Sequence, residues 1–256
     1  MTWAPDAVRH PTISTLSGRG ATVDNACMVM VPRYEFKSDP HSSHSVLLRW
    51  VGDGRGRALL DVGAADGLLS RKLTERGWRV TGIECDPVLA QAGSVHCARM
   101  VVANLDREVP VLETQFDAIV YGDVLEHLSD PLRVLTELNR LLAPGGFVVI
   151  SMPNVAHFVI RLSLLIGRFD YIDRGILDHT HLRFFTERSV RALVANAGLR
   201  VELFTATPAP LYQVLPRRFH KPWLAATHAI NAWIAHRLPR LMGYQFVIPA
   251  RPKEIV

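Results

Sequence analysis

Several short stretches of this chain place acids, small residues or imidazoles at spacings that suit ligand chemistry. The first is Asp61-Val62-Gly63-Ala64-Ala65-Asp66-Gly67. Its small residues let the backbone come close to a ligand ahead of a helix N-terminus. Turns of this kind serve several nucleotides, so the remaining residues decide which. A dinucleotide fingerprint needs Gly-x-Gly-x-x-Gly from Gly63, yet the chain has Ala65 and Leu68 at the other two glycine positions. Asp61 and Asp66 instead set carboxylates before and inside the turn, where they repel a pyrophosphate and suit an ammonium or a sulfonium. Further on, Glu84 can accept hydrogen bonds from ribose hydroxyls, and Ala103-Asn104-Leu105-Asp106 offers an amide or carboxylate to an adenine edge. Asp123-Val124-Leu125-Glu126-His127 and Asp178-His179-Thr180-His181 hold imidazoles beside acids, a pairing suited to general-base work near neutral pH.

The elements that must position these residues follow from periodicity and caps. Asp39-Pro40 reads as a helix start, with a Val46-Leu47-Trp50-Val51 stripe running to the Gly52–Gly56 cluster. Strands are expected at 58–62, 78–83, 99–102, 116–121 and 147–151. Helices are expected at 68–76, from Asp86-Pro87, and from Asp130-Pro131 through Leu142. This alternation implies a parallel, doubly wound sheet covered on both faces, with ligands at the carboxyl ends of its strands. Thr186 caps a further helix to Ala197, and Leu199–Thr205 and Tyr244–Pro249 read as final strands. Residues 1–35 form a variable lead-in, and 36–256 one domain with insertions at about 154–185 and 207–243. The Val155–Ile166 stripe reads as a lid or as core packing rather than as a membrane anchor.

Composition narrows the classes. At 256 residues, 48% hydrophobic and 21% charged, the chain can bury a full core. Three cysteines without metal spacing, and no basic-then-apolar leader, point to reduced thiols and a cytoplasmic location. The net charge of +5 is diffuse and richest from Arg217 to Lys253, which fits solvated surface better than nucleic-acid binding.

Leu60–Gly67, Gly82-Ile83-Glu84-Cys85-Asp86 and Phe116–Leu128, in this order, resemble class I S-adenosylmethionine (SAM)-dependent methyltransferases. Leu142-Ala143-Pro144-Gly145-Gly146 is similar to that family's post-helix turn. The likeness covers residues 58–151 and, more loosely, 180–206. It implies a Rossmann-like α/β fold: a seven-stranded, mostly parallel sheet with helices on both faces and an antiparallel last strand. It also implies SAM held by Asp61, Gly63, Ala64, Ala65, Gly67, Glu84 and Cys85, with Asn104 and Leu105 near adenine and Asp123 and Val124 at the fourth strand end. Ala65 departs from the family, where many members carry Gly.

Leu177–Thr186 resembles a segment of methyltransferases that accompany glycan and glycolipid enzymes, and Gly243–Val247 is similar to the end of the same group. This implies an O-methyltransferase acting on a carbohydrate or glycosylated hydroxyl. His181 or His179 is then the expected base, with Asp178 orienting it and His127 as second candidate; any of these can equally be structural. Asp178, His179, His181 and Asp123 can also gather a divalent metal, although no spacing demands it. Alternatives are a small natural product or quinone-like phenol as acceptor, for which a weaker base suffices, and a non-catalytic SAM-fold partner protein. The missing glycines disfavour a nicotinamide oxidoreductase, and Gly122-Asp123-Val124-Leu125 stands where a base-clamping motif would mark a nucleic-acid methyltransferase. A helix from Pro222 to Leu238 is compatible with packing on the sheet, with a homodimer contact, or with peripheral contact to a membrane or lipid-linked acceptor.

Overall fold

Short apolar runs, most of them followed by a glycine turn or an Asp-Pro cap, make the first half of the chain alternate between strand and helix. In the computed structural model of the protein, residues 39–253 are described apart from Arg217, Phe219 and Lys221. The 1–35 lead-in and part of the basic tail therefore lie outside the described residues. Ala58–Val62 (β1) is buried along its whole length, as a central parallel strand must be. Leu68–Glu75 (α2), Arg79–Glu84 (β2), Pro87–Ser94 (α3) and Arg99–Val102 (β3) follow it. Then come Phe116–Gly122 (β4), a 3-10 turn at Leu125–His127, Pro131–Asn139 (α4) and Leu142–Pro153 (β5). Asp86 and Asp130 cap α3 and α4 by accepting from backbone N–H groups, each with proline at the first helical position.

The strands form one sheet in the order β3-β2-β1-β4-β5-β8-β6, where Leu199–Val201 is β6 and Gln245–Pro252 is β8. Strands β1 to β5 pair in parallel; β8 runs antiparallel to β5 and to both of its other neighbours. Strand alternation sorts the core onto the two faces. Leu60, Ile119, Tyr121, Ile150 and Phe246 pack on one side with α4 and Glu187–Asn196 (α6). Leu59, Val120, Val149 and Val247 pack on the other with Ser43–Val51 (α1) and Leu73 of α2. Between α6 and β8 the chain adds Thr205–Thr207 (β7), Leu211–Val214 (α7), Pro222–Arg237 (α8) and Pro239–Met242 (α9).

Local differences from the sequence reading have local causes. Helix α1 is capped by Ser42, not opened at Asp39-Pro40, because Asp39 is engaged in a turn with His41 and in a hydrogen bond with His228. Helix α4 ends at Asn139 because Leu142 already pairs with Phe116 in the sheet. The expected strand 199–205 is split into β6 and β7, both on β8, so the sheet has eight strands rather than seven. The stripe at 155–166 yields Phe158–Leu165 (α5), which buries no residue and so is not core packing.

The start of α2 is held against the last turn of α3 by a close approach of two glycines. Gly67 sits at a left-handed φ of 77°, and a Cβ there would lie 2.8 Å from Gly93 Cα; one on Gly93 would lie 2.8 Å from Ala65 O and 2.9 Å from Gly67 N. All these neighbours are backbone and cannot swing away. Gly93→Ala should therefore cost about 1–3 kcal/mol, seen as a lower urea midpoint at constant slope; an unchanged midpoint would show that the turn can move.

Candidate functional site

The strand order reverses between β1 and β4, and a cavity of about 700 Å³ opens at the carboxyl ends of the strands there. Its walls come from the turn after β1 (Gly63, Ala64, Ala65, Asp66), the end of β2 (Glu84, Cys85) and the loop after β3 (Asn104, Leu105, Asp106). The end of β4 supplies Gly122, Asp123, Val124 and His127, and the insertion supplies Asp173, Arg174, Asp178, His179 and Thr180.

The amides of the acidic turn are already used inside the protein. Gly63 N and Ala64 N both donate to Ile83 O at 2.9 Å, Ala65 N donates to Glu84 Oε2 at 2.8 Å, and Gly67 N donates to Ala64 O at 2.9 Å. Such a turn offers few N–H groups to an anion. What it presents is acid: Asp66 Oδ1 is buried at the cavity with no hydrogen-bond partner among the described residues. A buried carboxylate oxygen without a donor fits a cationic ligand group such as an ammonium. Ala65 holds a left-handed φ of 48°, which explains why glycine would suit this position.

Glu84 is more occupied than its sequence context suggests. Its Oε1 accepts from Cys85 N at 2.8 Å and Asp86 N at 3.0 Å, besides the Ala65 bond to Oε2. A carboxylate offers about four acceptor positions, so capacity remains for roughly one ligand hydroxyl, not a full pair. Asp123, also at a left-handed φ (53°), is held from two strands: Ser151 Oγ donates to Oδ1 at 2.6 Å, and Gln245 Nε2 donates to Oδ2 at 2.8 Å. Ser151 and Gln245 escaped the sequence reading because β5, beside β4, and β8, one strand further out, bring their side chains to Asp123 only in the folded sheet.

Three expected site residues stand off the cavity wall. Asp61 is 1% exposed and accepts from Ser70 Oγ at 2.6 Å, tying β1 to α2 behind the turn. Burial pushes its carboxyl up to about 6, with the Ser70 hydrogen bond pulling the other way and the charge of Glu84 adding to the rise. Gly67 serves the contact with Gly93, whereas Gly63 stays on the wall, packed so close to Val124 that its Cγ2 would lie 2.7 Å from an added Cβ. His181 is buried behind His127, with the rings edge to face at 4.8 Å, and its Nδ1 donates to Ile176 O at 3.1 Å. Desolvation first, and the neighbouring His127 second, lower its pKa.

The imidazole with the best-defined place on the wall is His127. Its Nδ1 lies 3.2 Å from both Thr180 O and Thr180 Oγ1, while Thr180 Oγ1 donates to Asp178 Oδ1 at 2.7 Å. Since the Thr180 hydroxyl proton goes to Asp178, the His127 Nδ1 proton goes to Thr180, leaving Nε2 as an acceptor. Thr180 thus links Asp178 to His127, a role absent from the sequence reading. His179 lines the cavity with its side chain 56% exposed, 3.8 Å from Asp178 and 3.9 Å from Asp173. Among the described residues, Glu126, His127 and His181 bring one potential ligand atom each within 4.8 Å of one another. That group is not the Asp178, His179, His181 and Asp123 set that the sequence left open for a metal; in the fold Asp123 is hydrogen-bonded to Ser151 and Gln245, and Asp178 to Thr180.

Comparison with known proteins adds an independent line. Residues 40–203 match the methyltransferase-domain family. A protein named ubiquinone biosynthesis O-methyltransferase from Psychrobacter arcticus is 29% identical over 204 residues, covering 72% of this chain and 73% of its own. One of the same name from Acinetobacter baumannii is 28% identical, covering 75% and 83%. Among solved structures, an S-adenosylmethionine-dependent methyltransferase from Mesorhizobium loti superposes with a TM-score of 0.55 at 16% identity, over 82% of this chain and 98% of its own. A 1,6-didemethyltoxoflavin N1-methyltransferase from Burkholderia thailandensis, holding S-adenosylhomocysteine, gives 0.52 at 20% identity, over 84% and 78%. At such identities the structures speak for the fold.

Asp61 makes a pH-dependent prediction. Its folded pKa, about 6, lies above its usual value of 3.8, so the stability it contributes is fully present below about pH 4 and is lost as pH rises through 6. Asp61→Asn, which cannot ionise, should exceed the parent in stability at pH 8 by up to ~3 kcal/mol, with the gap closing near pH 4. Melting curves across that range test this; a constant gap would contradict it.

Proposed function

Because the chain belongs to the methyltransferase-domain family, we propose that it is a SAM-dependent O-methyltransferase whose acceptor is a quinone-like phenol. The observation that carries the reading is one cavity that joins the acidic turn to an oriented imidazole. The relatives named for ubiquinone biosynthesis support the phenolic acceptor. This is the acceptor that the sequence held only as an alternative. The carbohydrate expectation finds no such support. It rested on Leu177–Thr186 and Gly243–Val247, stretches occupied within the fold: Asp178 and Thr180 hold His127, Leu182 N and Arg183 N donate to Glu126 O, Thr186 caps α6, Gly243 O accepts from Asn154 and Gln245 holds Asp123.

In this reading Asp66 receives the cofactor's ammonium and Glu84 a ribose hydroxyl, while Asn104 and Leu105 flank the adenine. SAM, when bound, supplies a methyl group on a positively charged sulfonium. His127 Nε2 takes the proton from the acceptor hydroxyl as the oxygen attacks, and Thr180 and Asp178 hold the imidazole in the tautomer this needs. A phenol ionises near pH 10, far more readily than a sugar hydroxyl, so a neutral imidazole is a sufficient base. The insertion from Asp173 to Thr180 supplies the wall beside His127.

Acceptor identity is tested with methyl-labelled SAM, offering catechol-type phenols, with and without prenyl tails, against free sugars and glycolipids. Methylated phenol by mass spectrometry is the expected product; transfer to sugars alone would overturn the reading.

The base is tested separately. His127→Ala should lower kcat by about 100-fold or more with calorimetric affinity for SAM retained, and Thr180→Ala should lower it less. Full turnover in His127→Ala together with collapse in His179→Ala would move the role to His179.

A further inference from the structure

The described helices mostly hide an apolar face, but α5 does not. Its sequence is Phe158-Val159-Ile160-Arg161-Leu162-Ser163-Leu164-Leu165, and none of these residues is buried. Leu165 is 81% exposed and Ile166 70%, with Val159, Leu162, Leu164, Tyr171 and Ile172 also open to solvent. A contiguous apolar surface of this kind on a globular protein marks a place where something apolar binds. By contrast α8, the helix whose sequence suggested an interface, buries Leu224, His228, Ala232 and Ala235 and exposes Trp223, Ile230 and Trp233.

We propose that α5 and the loop after it form an interfacial segment that seats on an anionic lipid surface. Charge complementarity favours this occupant. Arg161 and Arg168, both exposed, bracket Leu162–Ile166, while Asp170 and Asp173 come later in the loop, where Asp173 joins the cavity wall. Arginines at the flanks reach phosphate headgroups while the leucines enter the acyl boundary. The helix is anchored at its base: His157 Nδ1 accepts from Val159 N, and Asn154 Nδ2 donates to Gly243 O at 2.8 Å. No helix among the described residues is long and apolar enough to cross a membrane, so the contact is peripheral. The same loop continues to Asp173 and Arg174 on the cavity wall. On the phenolic reading above, on which this last step rests, a lipid-tailed acceptor would pass from the bilayer along the loop to His127.

Co-sedimentation of the full chain with vesicles tests the proposal. Vesicles of phosphatidylcholine with a quarter phosphatidylglycerol should retain the protein, phosphatidylcholine alone should retain it weakly, and high salt should reduce retention. A Leu162→Asp, Leu165→Asp double variant should weaken binding at least tenfold while keeping its Tm and its activity on a soluble acceptor; Arg161→Ala, Arg168→Ala should weaken it severalfold. Absence of retention, or equal retention of the variants, overturns the proposal. A concentration-dependent dimer abolished by the Asp variant without vesicle binding would assign the surface to a second copy. A large fall in Tm would assign it to the chain's own packing. Vesicle binding needs no acceptor, so a chain that binds lipid but methylates no phenol would overturn only the functional reading.

Discussion

Three main-chain N–H groups converge on the carboxylate of Glu84, and the shape of the site depends on that convergence. Ala65 belongs to the turn after β1, whereas Cys85 and Asp86 belong to the end of β2. One side chain therefore fixes the gap between two adjacent strand ends. Buried N–H groups need partners, and Glu84 supplies them where the sheet ladder has ended. The left-handed Ala65 and the Gly67–Gly93 contact are held in place by the same arrangement.

A consequence is that the turn faces its ligand with acid instead of amide. The N–H groups a phosphate would need are spent on Ile83 O, Ala64 O and Glu84, while Asp66 keeps an unpartnered oxygen at the cavity. Asp61 strengthens the framework from behind at a cost in stability, since a carboxylate this deeply buried resists ionisation. The opposite wall is assembled from a different part of the chain. There Asp178, Thr180 and His127 form a connected series in which each group orients the next.

Most of the sheet was legible in the sequence. Runs such as 58–62 and 116–121, and caps such as Asp86-Pro87 and Asp130-Pro131, carry their own local physics, and the structure follows them within a residue or two. Legibility failed where a segment's fate depends on a distant partner. The 199–205 run splits because β8 pairs with its two halves separately, and Asp39 leaves helix α1 because His228 engages it from α8.

The candidate site divides in the same way. Acids, small residues and imidazoles at strand ends pointed to the region that lines the cavity, and their charge favours a cationic group over a pyrophosphate, because residue type and strand position are local properties. Only the tertiary structure decided which of those residues face the cavity. Asp61, Gly67 and His181 turn away from it, while Thr180, Ser151 and Gln245 become positioning groups. The physical reason is that a side chain's role is set by what reaches it across the fold. The relay of Asp178 and Thr180 to His127 spans 53 residues of sequence, a distance that only packing closes.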